Sequence, residues 1–486
     1  MNQAMKKPFL LFVFIVAGCL LPQISSGKCS RTADTSGITG KWNGLLKTPG
    51  GSIKIVFHIR KDGSSIRGLM DSPYQGAYGI PADSVGLKDS SVTIEINRLM
   101  IHYNGILKKS GNIEGNIVQH GFSFPLALTQ KEMKKPQEPS IPFPYISDSV
   151  RFKNNKEGFS LSGTLTLPYE KGKFPAVVLI SGSGPQNRDE EIMGHKPFLV
   201  LSDFLTRNGI AVLRFDDRGV GRSEGNFASA TTADFATDVE SAVSFLRTRP
   251  EINKDHIGLI GHSEGGEIAP MVAAKDKDIN FIILMSAPGI RGDKLLLLQE
   301  KLIATASGAD PGAIKEQQKI NGGAFDIILS AHCHDRISTA ELDSIGRKLK
   351  AYFETDPQIA ESEADSLKRD SYINQLAAGL DNPWMIYFIK HDPAIPLSKV
   401  KCPVLAIGGD RDLQVQPDVN MAMIGIALDE AGNKRVTLKN FPGLNHLLQK
   451  CNTGLPAEYA EIEQTLSPEV MNFITSWIKD ILKKGK

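Results

Sequence analysis

Between residues 36 and 131 the chain alternates apolar and polar positions in short runs, among them "SIKIVFHIRK", "SVTIEINRL", "MIHYNGILKK", "NIEGNIVQ" and "FSFPLALTQ". Residues two apart share one face of an extended strand, so each run can bury one face, and the intervening "KDG" and "KKSGN" stretches are turn formers. The pattern predicts an antiparallel meander of about eight strands, curled into a small barrel or sandwich. It holds no cluster of catalytic residue types. Two roles stay open for it: a packing or positioning domain, or a binding module for a glycan, lipid or substrate. Residues 132–147 carry four prolines within "KKPQEPSIPFPYIS" and cannot continue a sheet, so they read as a linker.

From residue 148 the period changes. "FSLSGTLTLP", "PAVVLISG", "IAVLRFDDRG", "HIGLIGHS" and "INFIILMSAPG" are apolar, strand-like runs separated by helical patterns such as "KPFLVLSDFLTRNG" and "TTADFATDVESAVSFLRTR". Apolar strands alternating with amphipathic helices predict a mostly parallel sheet with helices on both faces. This α/β pattern covers residues 148–292, stops, and resumes over 396–486 with "PVLAIGGD", "KRVTLKNFPG" and a last amphipathic helix, "SPEVMNFITSWIKDILKK". Residues 293–395 are instead rich in Lys, Glu, Ala and Leu at helical spacing. They predict a helical cap or lid inserted above the C-terminal ends of the strands, where open α/β sheets bind their ligands.

A composition of 41% hydrophobic and 23% charged residues over 486 positions is that of a globular protein with room for more than one domain. The formal charge of +2 falls to zero without Lys6 and Lys7, so nothing electrostatic calls for nucleic acid or an anionic membrane as partner. Those two lysines precede an apolar stretch from Phe9 to Leu21 that is too short to span a bilayer comfortably. Residues 1–27 therefore read as a cleaved secretory signal, with export to the periplasm or the outside. Val16-Ala17-Gly18-Cys19 offers a rival processing site, at which Cys19 would carry a lipid anchor. Of the later cysteines, Cys29, Cys333, Cys402 and Cys451, none sits in a disulfide-framework spacing. The "HCH" at His332 to His334 invites a metal, but adjacent side chains diverge and rarely close a tetrahedral site, so no metal is expected. Oligomeric state is left open.

Two pentapeptides share the pattern G-x-S-x-G: "GHSEG" from Gly261 and "GRSEG" from Gly221. A nucleophile elbow needs a strand that ends abruptly, a serine in a strained turn, and a helix that starts at once with its amides aimed at developing negative charge. Ser263 meets each condition, with Ile257 to Ile260 as strand and helix from Glu264 onward. Ser223 does not, because seven residues separate it from the strand "IAVLRF" and "NFASAT" delays the next helix; it reads as a hydroxyl in a glycine-rich turn.

The elbow, the "DDRGVGRS" loop and the downstream Asp and His resemble the α/β-hydrolase superfamily from Ser147 to the C-terminus. "GSGPQNRDEE", "GHKPFLVLSDFLTRNGIAVLRFDDRGVGRSEG" and "FPGLNH" are similar, more narrowly, to exported bacterial esterases and S33 serine aminopeptidase-like hydrolases with an N-terminal β domain. The resemblance implies the chain order Ser, Asp, His. It points to Asp412 as the acid, by its spacing from Gly409, with Asp410 as the rival that more simply binds turn amides. It points to His446 as the base. The oxyanion donors are then the backbone amides of Glu264 and Ser183, the latter in an "SGSG" that departs from the superfamily's His-Gly. His262 reads as packing, and His195 and His391 as structural or pocket-lining. Glu264 and Glu267 fit the first turn of a helix through its dipole, although a peptidase that binds a free amino terminus would also want acids there. These parts suffice for acyl transfer without a cofactor. Three functions remain: hydrolysis of a small-molecule carboxylic ester, hydrolysis of a short peptide, or an envelope binding protein on an inactive scaffold.

Overall fold

The computed structural model describes residues 36–484 except 49–50, 63–64, 74–76, 120–121, 132–134, 169–170, 332–337 and 356–365. The signal segment, Cys19, Cys29, Cys333 and the "HCH" stretch therefore lie outside the described residues.

The N-terminal domain is an antiparallel sheet of nine strands: β1 (Gly40–Thr48), β2 (Gly51–Asp62), β3 (Ser65–Ser72), β4 (Ala77–Pro81), β5 (Ser84–Lys88), β6 (Ser91–Ile96), β7 (Ile101–Leu107), β8 (Ile113–Gln119) and β9 (Phe122–Thr129). The alternation expected of such strands is plain in β6, where Val92, Ile94 and Ile96 face inward. The sheet runs in the order β4-β3-β2-β1-β9-β8-β7-β6-β5 and curls until its ends approach, so that a Cβ on Gly68 of β3 would lie 2.6 Å from the Val85 side chain of β5. Its interior is filled by Trp42, Phe57, Tyr103 and their aliphatic neighbours, with the indole N–H of Trp42 donating to Ile38 O and the Tyr103 hydroxyl to Leu126 O. The count exceeds the expected eight because β4 and β5, "AYGIP" and "SVGLK", are five-residue strands in which Gly and Pro blur the alternation.

The second sheet has eight strands, continuing with β10 (Ile146–Lys153), β11 (Ser160–Leu167), β12 (Phe174–Ile180), β13 (Ala211–Phe215), β14 (Ile252–His262), β15 (Phe281–Met285), β16 (Val404–Gly409) and β17 (Val436–Phe441). The order is β10-β11-β13-β12-β14-β15-β16-β17; β10 and β11 are antiparallel to their neighbours and the remainder run parallel. The last two residues of the expected linker already belong to β10. Helices α1 (Pro197–Arg207), α2 (Thr232–Thr248) and α3 (Gly265–Lys275) follow β12, β13 and β14. The lid is built from α4 (Gly292–Ala306), α5 (Pro311–Ser330), α6 (Thr339–Thr355), α7 (Ser366–Leu380) and α8 (Pro383–Lys390), and the short α9 (Ala394–Leu397) leads back to β16. Then come α10 (Pro417–Glu430), α11 (Pro456–Tyr459) and α12 (Pro468–Lys484).

Strand periodicity sorts the core into two layers. Along β12, Ala176, Val178 and Ile180 pack with α2, α3 and α10, whereas Val177 and Leu179 pack with α1 and α12. The lid has its own core, including Leu295, Phe325, Leu349 and Phe388, which Val415 joins from the loop after β16. This is the α/β-hydrolase arrangement, with the lid inserted between β15 and β16 and a small β domain in front.

Candidate active site

Strand β14 ends at His262, and α3 begins at Gly265. Ser263 between them has φ of +52°, a conformation that costs a side-chain-bearing residue about 1–3 kcal/mol and persists only where the surroundings enforce it. They do so here: its N–H donates to Met285 O at 2.9 Å, and its carbonyl accepts from Gly266 N at 2.8 Å. A Cβ on Gly261 would lie 2.0 Å from the Gly265 carbonyl oxygen, and one on Gly265 would lie 2.1 Å from that of Ile180. Both glycines of the pentapeptide are therefore steric requirements of the turn. Helix starts one residue later than the sequence suggested, and Glu264 stands at its N-cap.

His446, in the loop after β17, and Asp412, in the loop after β16, are both buried and meet at 2.8 Å between Nδ1 and Oδ2. The other carboxylate oxygen, Oδ1, accepts from the amides of Gln414 and Val415, each at 2.8 Å. An acid held this way keeps the proton of a neutral His446 on Nδ1 and leaves the Nε2 lone pair open. Asp410 serves its turn instead, accepting from Gly443 N at 2.6 Å. Among the described residues no hydrogen bond joins the Ser263 hydroxyl to His446; contacts of this kind commonly tighten only with substrate. Proximity comes through His262, whose ring lies 4.9 Å from that of His446, centroid to centroid.

The loop after β12 packs onto the elbow: a Cβ on Gly182 would lie 3.1 Å from that of Ser263. The amides of Ser183 and Glu264 have no acceptor among the described residues, while the neighbouring Gly182 N–H is taken by Glu190 Oε1 at 2.7 Å. The "DD" of the glycine-rich loop holds this segment. Asp217 accepts from Ser181 Oγ and Gln186 N, and Asp216 from Arg188 Nε and Nη2. Ser223 completes that turn, its hydroxyl donating to Asp216 O at 2.7 Å and accepting from Ser162 N at 2.9 Å.

Two readings need correction. The dipole account of Glu264 and Glu267 is incomplete: both stand at the start of α3 as expected, but both side chains are buried. Burial raises the Glu264 carboxyl, against hydrogen bonds from Thr232 Oγ1 at 2.7 Å and the lid's Trp384 Nε1 at 2.8 Å. Burial, with the neighbouring Glu264 charge second, raises Glu267 well above the ordinary carboxylate range, and its Oε2 has no partner. His262 is more than packing: both ring nitrogens are engaged, Nδ1 with Glu190 Oε1 at 2.9 Å and Nε2 with His446 O at 3.0 Å. Glu190 is remote in sequence and reaches the elbow only through a loop with positive φ at Glu190 and Met193, so no local pattern around His262 announces the contact. His195 is fully buried against Thr465 and the Tyr459 carbonyl; burial, then the Lys135 charge, brings its pKa to about 4. His391 stacks on Tyr387 at the end of α8.

Among the described residues no group of three or more His, Cys, Asp or Glu could hold a metal, and no helix is long and apolar enough to cross a membrane.

Sheet order, elbow and inserted lid are those of the α/β-hydrolase fold, and the known proteins similar to this chain include esterases. Residues 197–337 match the family described as serine aminopeptidase, S33, a span that takes in Ser263 and stops short of Asp412 and His446. The chain is similar to esterase EstD of Thermotoga maritima, 23% identical over 65% of this chain and 65% of that protein. It is also similar to thiohydrolase apmlB of Arthrinium phaeospermum, 30% identical over 34% of this chain and 54% of that one. The chain thus spans less than two thirds of the length of these relatives. Among solved structures, the Pyrococcus furiosus esterase Pf2001 aligns over 73% of this chain and 98% of its own, at 16% identity and a TM-score of 0.41.

Proposed function

We propose that this protein is a serine hydrolase that cleaves carboxylic esters of small molecules through an acyl-enzyme. The observation that carries the reading is the buried Asp412–His446 pair beside a strained Ser263. His446 Nε2 takes the Ser263 proton as Oγ attacks the carbonyl carbon, and the imidazolium is stabilised by Asp412. The negative charge that develops on the carbonyl oxygen is met by the amides of Glu264 and Ser183, each such donor contributing about 3 kcal/mol to the transition state. His446 then returns the proton to the leaving alkoxide, which departs as the alcohol. Water, deprotonated by the same nitrogen, attacks the acyl-enzyme; the acyl–Oγ bond breaks, His446 returns that proton to Ser263 Oγ, and the acid is released.

The S33 description keeps a short-peptide substrate as the second reading. The ester is preferred because an aminopeptidase needs a carboxylate free to bind ammonium. Glu264 is already engaged by Thr232 and Trp384, and burial holds Glu267 toward its neutral form. Export, with residues 1–27 removed or Cys19 lipidated, is part of the proposal and rests on the N-terminal pattern alone.

A fluorophosphonate probe is expected to label wild type and Ser223→Ala but not Ser263→Ala. Labelling of Ser263→Ala, or of none of the three, refutes the assignment. Turnover of aminoacyl amides without turnover of short-acyl nitrophenyl esters would replace the ester reading by the peptide one.

A further inference from the structure

We propose that Glu190 and His262 form a charged clamp that sets the spacing of the oxyanion loop, nucleophile and base, and that the proton they hold makes this spacing sensitive to alkaline pH. The inference rests on the triad reading above. Its members are positioning residues, since neither is placed against the reacting atoms.

The geometry is that of one carboxylate and one imidazole tying three loops together. Glu190 Oε1 accepts from Gly182 N at 2.7 Å and from His262 Nδ1 at 2.9 Å, and His262 Nε2 donates to the His446 carbonyl at 3.0 Å. Each tie falls on a catalytic residue or its immediate neighbour. Gly182 precedes Ser183, His262 precedes Ser263, and the carbonyl is that of His446 itself. Glu190 and His262 are both buried, so water cannot substitute for a lost contact, and Glu190 is held at φ of +50° to reach its place.

Proton counting follows from the acceptors. A backbone carbonyl cannot donate, so His262 Nε2 carries a hydrogen; with Glu190 as the carboxylate, Nδ1 carries the second, and the ring is an imidazolium. Burial pushes that group toward the neutral form. The Glu190 charge, its hydrogen bond, the His446 carbonyl and, more weakly, Asp412 outweigh burial, and the net direction is upward. Among the described residues, the other titratable group against it is the imidazole of His446, 4.9 Å away centroid to centroid.

The sign is then fixed. With a raised folded value, the clamp is intact below that value and is lost as pH rises through it. A neutral His262 has a single N–H and must release either Glu190 or the His446 carbonyl. Activity would therefore show an alkaline limb, along which His262 loses its charge.

The test is the pH profile of kcat on a nitrophenyl ester for wild type, Glu190→Gln and Ser263→Ala. Glu190→Gln keeps the shape and an acceptor oxygen but removes the charge. It is expected to move the alkaline limb at least one pH unit toward neutral and to lower kcat roughly ten- to hundredfold with KM little changed, the size that misplaced catalytic groups give. A Glu190→Gln profile that superimposes on wild type overturns the clamp. Ser263→Ala that keeps turnover overturns the triad reading instead, so the two failures are distinct. Should Glu190→Gln not fold, 15N-histidine spectra of wild type decide the matter without activity. Two ring N–H signals at neutral pH that disappear in His262→Gln support the clamp, and a singly protonated ring at position 262 refutes it.

Discussion

Asp412→Asn tests the acid assignment, because the structure dictates how the new amide must sit. Asparagine offers one oxygen and one NH2 where the carboxylate offered two oxygens. The amides of Gln414 and Val415, both 2.8 Å from Oδ1, can only donate, so the oxygen belongs there. The NH2 then takes the place of Oδ2 and points at His446 Nδ1. Donor facing donor is avoided only if Nδ1 gives up its hydrogen, which puts the proton on Nε2, the nitrogen that must accept from Ser263. That wrong tautomer costs roughly 10⁴ in kcat, about 5 kcal/mol of barrier. The escape is to turn the amide over, restoring the tautomer but leaving two buried N–H groups against an NH2, at about 1–3 kcal/mol each. The expected loss in kcat therefore lies between about thirtyfold, from the cheapest escape, and 10⁴. Steady-state turnover of a short-acyl nitrophenyl ester measures it, with Asp410→Asn as the companion. That variant keeps an acceptor oxygen for Gly443 N–H and loses only the charge, so it should stay within tenfold of wild type, at most on the order of one hydrogen bond. Asp412→Asn retaining more than a tenth of wild-type kcat, or Asp410→Asn losing more than Asp412→Asn, refutes the reasoning.

The elbow's steric demand gives a stability prediction. In Gly265→Ala the new methyl meets backbone oxygens of Ile180 and Ser181 at 2.1 and 2.8 Å, which cannot rotate away, so melting temperature should fall by the equivalent of about 1–3 kcal/mol or more; an unchanged Tm contradicts it. Glu267→Gln should raise stability at alkaline pH. A carboxyl with a raised folded value stabilises fully only below its unfolded value, and that stability is lost as pH rises through the folded one, so removing it opens a Tm gap that widens upward from the ordinary carboxylate range. Thermal melts between acidic and alkaline pH measure the gap, and a Glu267→Gln protein less stable than wild type throughout would show that the carboxyl has a partner in its charged form.

What could be read from the sequence was what local sterics or chain order determine. The elbow was legible because the collisions that require Gly261 and Gly265 arise within a few residues of Ser263 and at the strand beside it. The doubly covered sheet was legible because β12, β14 and β15 are apolar on both faces, as parallel strands must be. The relation of Asp412 to Asp410 was a matter of spacing, and the structure brings Asp412 to His446. Illegible were arrangements that depend on a distant partner. The charge on His262 requires Glu190, and the burial of Glu264 requires Trp384 from the lid. In the sequence, a histidine next to a nucleophile and a glutamate in a first turn look like packing and dipole complementation, because nothing local says which loop will close over them.

The β domain shows how far such distant support extends. Its interior is filled with its own side chains, which argues for a positioning role over a ligand-carrying one. Its contact with the hydrolase domain falls close to the chemistry. Leu45 of β1 packs on Met193, Leu447, Tyr459 and Ala460, Ser52 Oγ of β2 donates to Ala457 O, and Lys47 pairs with Glu461. Leu447 follows the proposed base directly, and Met193 belongs to the loop that presents Glu190. Tyr459 accepts from Gln414, whose own amide holds Asp412. An exposed ion pair such as Lys47–Glu461 contributes little, on the order of 0–1 kcal/mol. The apolar seat of Leu45 and the Ser52 bond therefore carry the contact. The loops of the acid, the base and the clamp share one wall, and the β domain is packed against it.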